Sequence, residues 1–419
     1  MTAKTPFLDI SRSLLPYLLA LCCTLAILGI HMLPNMDSML NENNTQISHV
    51  FLKSQIDYHK EIAPFARRPL TTLLIEGSSQ AFGIRAGHAF ILVNFLLLLV
   101  SGVLVHQLSK SLRATKKQAL LNMLVYFSSF SVLFAFFPPV FTYDEPLQYC
   151  FILGALIAFV QRKWLWYIVL FALALVTRET SMLLLPGFIF FISRMDFQNE
   201  KLSAKAYWRI LMIVVSPLLI YSIFIGIYIQ QNQLLEATQT EMASRYSCFL
   251  ENFESTKNTI ESFTSFFLSL GPFLYFALLA LKKSNISAFD KRFLNAFLVT
   301  VAINTPIVIL TSFARESRLF ALPLVFLWPM FMQLFGRELK LIFLLNTYRR
   351  LFAKWQYAIL LIGLNILNYW FCFEIYRDLG LGENTYFAEY LFVMNFCLIF
   401  HFLVSFFALS KVRGQNSDF

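Results

Sequence analysis

Charge is scarce in this chain. Asp, Glu, Lys and Arg make up 14% of 419 residues, where an ordinary soluble domain carries roughly 25%. Cysteine is nearly as uninformative. Cys22, Cys23, Cys150, Cys372 and Cys397 lie in apolar runs and Cys248 stands alone in a loop, which excludes a disulfide framework and a Cys/His metal cluster. No glycine-rich phosphate loop or nucleic-acid motif occurs, so soluble-nucleotide chemistry has no signature here. The two-residue alternation that a membrane β-barrel needs is missing as well.

What is present is apolar. Hydrophobic residues make up 58% of the chain and 47 residues are Phe, more than one soluble core can hold. Helices and closed barrels are the only spanning options, so the expected class is an all-α, polytopic integral membrane protein. Apolar runs fall at about 13–33, 88–108, 119–138, 147–160, 164–177, 180–193, 209–230, 263–281, 293–312, 319–335, 356–373 and 389–409. They predict about 12 transmembrane helices in a single domain, 1–419. The fourth to sixth runs are short against the roughly 17–25 residues a span needs. No A-x-A-like cleavage site follows the first run, so it is read as a helix and not as a signal peptide.

Two long polar segments interrupt the pattern. Residues 34–87 form a first extracytoplasmic loop, in which Phe51 to Tyr58 and Pro69 to Phe82 read as membrane-surface helices separated at Pro64 and Pro69. Residues 231–262 form a second large extracytoplasmic loop. With both termini in the cytoplasm, 23 of the 34 Lys and Arg residues fall in inside loops and 18 of the 24 acids fall outside. That asymmetry obeys the positive-inside rule. The net charge of +10 is thus a topology signal and not a nucleic-acid patch. The compact loops suit a bacterial cytoplasmic membrane.

The outer face therefore carries the unusual chemistry. Asp37 follows the first run, Asp144 and Glu145 the third, Arg178 the fifth, and Arg315, Glu316 and Arg318 the ninth; Arg67 and Arg68 lie in the first loop. Carboxylates at the mouth of a membrane bundle are costly unless solvated, paired or used. Converging acids act as general bases or hold a divalent cation, Mg or Mn. Arginine forks suit a phosphate. The bland alternatives are a solvated turn or helix N-cap for Asp144-Glu145-Pro146, a charge pair capping two helices for Arg178-Glu179, headgroup binding for Arg67 and Arg68, and snorkelling for Arg315 and Arg318. His59 reads as a loop residue, and Trp164 and Trp166 as interface anchors.

The layout resembles the GT-C superfamily of integral-membrane glycosyltransferases. The resemblance rests on Asp37 just past the first helix in a long loop, and on Tyr143-Asp144-Glu145-Pro146 in the next outside loop. It also rests on the run from Trp164 through Arg178 to Pro186, and on Arg315-Glu-Ser-Arg318 to Pro323. It covers about 14–195 well and 313–335 loosely. It implies sugar transfer from a polyprenyl-phosphate donor to a lipid, glycan or protein acceptor on the extracytoplasmic side. It also implies that Asp37 is the base or metal-side carboxylate, Asp144 and Glu145 the second acidic site, and Arg178 a donor-phosphate contact. Membrane lipids, not nucleic acid, are the expected surroundings. The chain departs from the family in having a lone Asp37 in place of a paired acidic motif, and no large soluble domain after the membrane part. Two other readings share these features: a transporter or flippase of a lipid-linked sugar, and a polysaccharide polymerase or ligase.

Overall fold

A computed structural model describes residues 14–43, 46–134, 143–192, 204–245, 247–282, 286–379 and 386–415. The basic N-terminus, Pro138-Pro139, Phe141 and most of the 194–208 loop lie outside the described residues. Of the described residues, 86% are helical and none forms a strand, which bears out an all-α membrane protein. Seven helices are long and apolar enough to cross a membrane, so the chain is that of a membrane-embedded, multi-pass protein.

The chain begins with α1, Leu15–Ile27, which runs on through a wide turn at Leu28–Met32 and a tight one at Leu33–Asn35. The first loop then folds into three helices: α2, His49–Glu61; α3, Ala63–Ala66; and α4, Pro69–Phe82. The Ser48 hydroxyl caps α2 by accepting the Phe51 N–H at 3.1 Å. Pro64 and Pro69 each sit in the first turn of a helix, where a missing N–H costs nothing. Gly83 ends α4 with φ of 62°, the left-handed value that favours glycine.

Next come α5, Ala86–Ser111; α6, Lys116–Ser128; and α7, Phe130–Phe134. The antiparallel pair α8, Glu145–Val160, and α9, Trp164–Thr177, forms the centre of the bundle. Arg162 makes the turn between them at φ of 57°. Beyond these lie α10, Leu185–Ile192; α11, Ala204–Gln231; α12, Leu235–Ser244; and α13, Ser247–Phe253. The long helices α14, Thr256–Leu281, and α15, Ala288–Thr311, follow. Last are α16, Phe331–Phe343; α17, Leu345–Phe352; α18, Trp355–Trp370; α19, Tyr376–Asp378; and α20, Phe387–Gln415.

Seven of the described helices reach spanning length against twelve apolar runs, and the difference has a physical cause. The runs at 147–160 and 164–177 form helices of 16 and 14 residues. At a rise of about 1.5 Å per residue these reach about 21–24 Å, short of a hydrocarbon layer of about 30 Å. The run at 180–193 splits into a tight turn, Glu179–Leu184, and α10. The run at 119–138 breaks at Ser129, and its end lies outside the described residues.

The run at 319–335 is not one helix. Tight turns at Ser317–Phe320, Leu322–Phe326 and Trp328–Met330 precede α16. This stretch is buried in protein, with Phe320 to Leu327 and Trp328 almost wholly enclosed. Irregular backbone at membrane depth survives only where its polar groups find partners, and here side chains supply them. Asn252 donates to the Ile309 and Ser312 carbonyls at 3.0 and 2.8 Å and accepts the Ala314 N–H at 2.9 Å. Ser269 donates to the Ser317 carbonyl and Asn304 to the Leu319 carbonyl. Asn122 accepts the Met332 N–H at 2.8 Å and donates to the Pro329 carbonyl at 2.6 Å. Asn252→Ala leaves three backbone groups unpaired, so it is expected to lower stability by about 1–3 kcal/mol per group left buried. Thermal unfolding in detergent checks this.

Candidate functional site

Where the first loop meets the ends of α9, the start of α8 and the irregular stretch, six of the eight sequence-expected residues converge. Arg67 ends α3 and Arg68 stands just before α4. Both are buried. Arg68 makes a forked pair with Glu179, Nε to Oε2 at 2.8 Å and Nη2 to Oε1 at 2.6 Å. Arg67 reaches the same Oε1 at 3.3 Å. Arg68 also approaches Asp144 Oδ2 at 3.8 Å.

Asp144 and Glu145 open α8 with Pro146 in its first turn. Asp144 occupies the cap position, yet its carboxylate does not cap the helix. Oδ1 instead accepts the Thr71 hydroxyl at 2.8 Å. Glu145 pairs with Arg178, and Arg318 Nε lies 3.4 Å from its Oε1. The Arg318 fork also holds Glu316, at 2.8 Å from Nη2. Neighbours in sequence thus face different partners. Arg178 turns to Glu145 while Glu179 turns to Arg67 and Arg68, because Arg178 is extended, with φ of −159°. Gln148 fixes this turn by donating to the Ser181 hydroxyl at 2.8 Å, and that hydroxyl donates to the Arg178 carbonyl.

The result is a low-exposure cluster in which Arg67, Arg68, Arg178 and Arg318 face Asp144, Glu145, Glu179 and Glu316. Full ionisation makes it neutral, which is how buried charge is tolerated. Two donors remain without an acceptor among the described residues: the buried Nε atoms of Arg67 and Arg178. Burial pushes the Asp144 carboxyl up, Arg68 pulls it down and Glu145 raises it again, for a pKa of about 7. Asp144 therefore keeps its proton to a higher pH than an ordinary carboxylate.

An aromatic wall borders the cluster. The His59 and Tyr143 rings stack at 3.6 Å between centroids and 13° between planes. The Tyr143 and Thr72 hydroxyls lie 3.0 Å apart, and Phe65 lies against His59 at 4.8 Å. His59 stands on α2 and not in a loop, a correction to the sequence reading, because the Ser48 cap begins the helix ten residues earlier.

Two expected residues stand apart. Arg315 is exposed, with its guanidinium over the Phe313 ring at 5.1 Å. Asp37 is fully buried, but its contacts stay within its own loop. Its N–H donates to the Ile47 carbonyl at 2.8 Å and its Oδ2 accepts the Asn43 N–H, while Oδ1 has no partner among the described residues. Ser38, Met39, Leu40 and Glu42 wrap this carboxylate with positive φ. Among the described residues no group of three or more His, Cys, Asp and Glu is arranged to hold a metal ion, so Asp37, Asp144 and Glu145 do not form one ligand set.

Sequence reasoning placed Glu179, Glu316 and Tyr143 on the outer face but gave Glu179 and Glu316 no site role, and it missed Thr71 and Thr72 as supports. A signal for the threonines existed. Pro69 predicts a helix start, and Thr71 and Thr72 follow Arg68 in its first turn. Comparison with known proteins finds no matching family model, no matching curated protein and no matching solved structure.

Proposed function

We propose that this protein is a membrane glycosyltransferase of the GT-C kind. It moves a sugar from a polyprenyl-phosphate donor to a lipid, glycan or protein acceptor on the extracytoplasmic face of a bacterial cytoplasmic membrane, both termini being cytoplasmic. The observation that carries the reading is the arginine-rich cluster gathered at one end of a bundle of apolar helices. In such a transfer the acceptor hydroxyl attacks the anomeric carbon and a lipid phosphate departs with the electron pair. Guanidinium groups held in place before the reaction stabilise that developing charge without reorganising. The unpartnered Nε donors of Arg67 and Arg178 support a phosphate role, as does Arg315 at the rim. No metal step is needed for this chemistry, and a divalent cation stays a separate question of assay composition.

The test is transfer of radiolabelled sugar from a panel of polyprenyl-phosphate donors by purified protein in liposomes. Asp144→Asn is expected to cut transfer by about 10²–10³-fold, the range for losing one preorganised electrostatic group. Asp37→Asn is expected to abolish transfer as well, by the family resemblance. Full activity in both variants would sink the proposal.

One observation favours the second reading, a transporter or flippase of a lipid-linked sugar. The stretch from Ser317 to Met330 is a discontinuous element of the type that lines transport sites. Sugar movement across the same liposomes without transfer decides for it. A polymerase or ligase differs from single-sugar transfer in product length.

A further inference from the structure

The carboxylates of the cluster are all engaged, and the unpartnered Oδ1 of Asp37 is buried away from it. Asp144 accepts from Thr71 and faces Arg68, Glu145 faces Arg178 and Arg318, and Asp37 is enclosed in its own loop. A base must instead offer a lone pair toward the substrate. One group beside the cluster keeps a lone pair unbonded among the described residues. The His59 Nδ1 lies 2.8 Å from the Gln55 carbonyl oxygen. A carbonyl only accepts, so Nδ1 carries the hydrogen and Nε2 carries the lone pair. The ring is held flat on Tyr143 and edged by Phe65, so its orientation is set by packing as well as by the hydrogen bond. No protein group among the described residues bonds Nε2.

We propose that His59 is the general base of this site, its Nε2 taking the proton of the acceptor hydroxyl. This rests on the glycosyl-transfer reading and names the residue that performs its proton step; Asp37, buried and bonded within its own loop, then acts as a positioning residue whose loss imidazole does not rescue. In that step the acceptor O–H bond breaks and its proton passes to Nε2. The acceptor oxygen bonds to the anomeric carbon, and the bond from that carbon to the phosphate oxygen breaks. The phosphate leaves with the electron pair toward the arginines. His59 later returns its proton to water.

The charge around the ring suits a base that is neutral at rest. Burial lowers the His59 pKa to about 4. The Gln55 carbonyl and Glu145 raise it, while Arg68 and Arg318 lower it further. Those groups belong to α2, the start of α8, the turn before α4 and the irregular stretch. Tyr143 and Asp144 complete the surroundings. The proton is accepted at a disadvantage in the ground state. It becomes favourable as phosphate charge develops beside the arginines, which lessens their hold on His59.

The experiment compares wild type, His59→Ala, His59→Gln and Asp37→Asn in the liposome transfer assay, with and without added imidazole. His59→Ala is expected to lower kcat about 10²–10⁴-fold with little change in donor KM, and imidazole to restore part of the rate. Imidazole should do nothing for Asp37→Asn. His59 should add a wild-type limb below about pH 4, since the base works when neutral, and His59→Gln should lose that limb. Size-exclusion profile and thermal midpoint of His59→Gln report on folding. Wild-type rates in His59→Ala overturn the assignment, as does a loss that imidazole leaves untouched. A wild type that consumes no donor in the panel overturns the glycosyl-transfer reading itself and this assignment with it.

Discussion

Replacing Glu179 by alanine is expected to destabilise the protein by about 3–5 kcal/mol, the range for removing one partner of a buried ion pair. Glu179 is the shared acceptor of Arg67 and Arg68. Without it, Arg68 keeps only Asp144, at 3.8 Å, and Arg67 keeps no carboxylate among the described residues. Both guanidiniums are enclosed by protein, so neither regains hydration in the folded state. The contrast is the pair between Lys60 and Glu76, which joins α2 to α4 at 2.8 Å with side chains 50% and 37% exposed. Lys60→Ala is expected to cost under about 1 kcal/mol, because water screens it. Thermal unfolding of both variants in one detergent checks the difference. Equal midpoints would mean that the Glu179 pair is hydrated after all.

The second large effect is on pH. The Asp144 carboxyl stands at about 7 in the folded protein and near 3.8 when unfolded. Below about pH 4 both states hold the proton and stability is unaffected. As pH rises, the unfolded chain releases its proton first, so the folded state loses ground until about pH 7 and loses no more above it. At about 1.4 kcal/mol per pH unit, the full change is up to roughly 4 kcal/mol. Asp144→Asn removes this slope. Unfolding followed from pH 5 to 8 should therefore fall more steeply for wild type than for Asp144→Asn, whose amide still accepts from Thr71. Parallel curves would show that Asp144 is ionised throughout.

The charged residues of the site were legible because charge is rare in this chain and each falls at the end of an apolar run. Their pairing was not. Arg178 and Glu179 are adjacent in sequence and read as one pair, but a single extended residue sends them to different partners. Asp37 and Asp144 both follow apolar runs and read as neighbours, while tertiary structure leaves Asp37 bonded within its own loop. His59 had no local signal. Its stacking partner Tyr143 lies 84 positions away, and a histidine in a polar loop reads the same whether it is solvated or packed. The described helices of spanning length are fewer than the apolar runs for a related reason. An apolar run enclosed by protein has the same hydropathy as one facing lipid. Nearly every residue of α8 is buried, whereas α11 exposes Trp208, Met212, Leu219 and Ile223.

The short central pair α8 and α9 has a consequence for the depth of the site. Helices of 16 and 14 residues fall short of a normal hydrocarbon layer by about 6–9 Å. α8 is enclosed by its neighbours, so the shortfall is met inside the bundle and leaves the start of α8 and its arginines below the level that a full-length span reaches. On the glycosyl-transfer reading proposed above, a phosphate tethered to a long hydrocarbon tail would meet the arginines at that depth, whereas a water-soluble phosphate would have to descend to them.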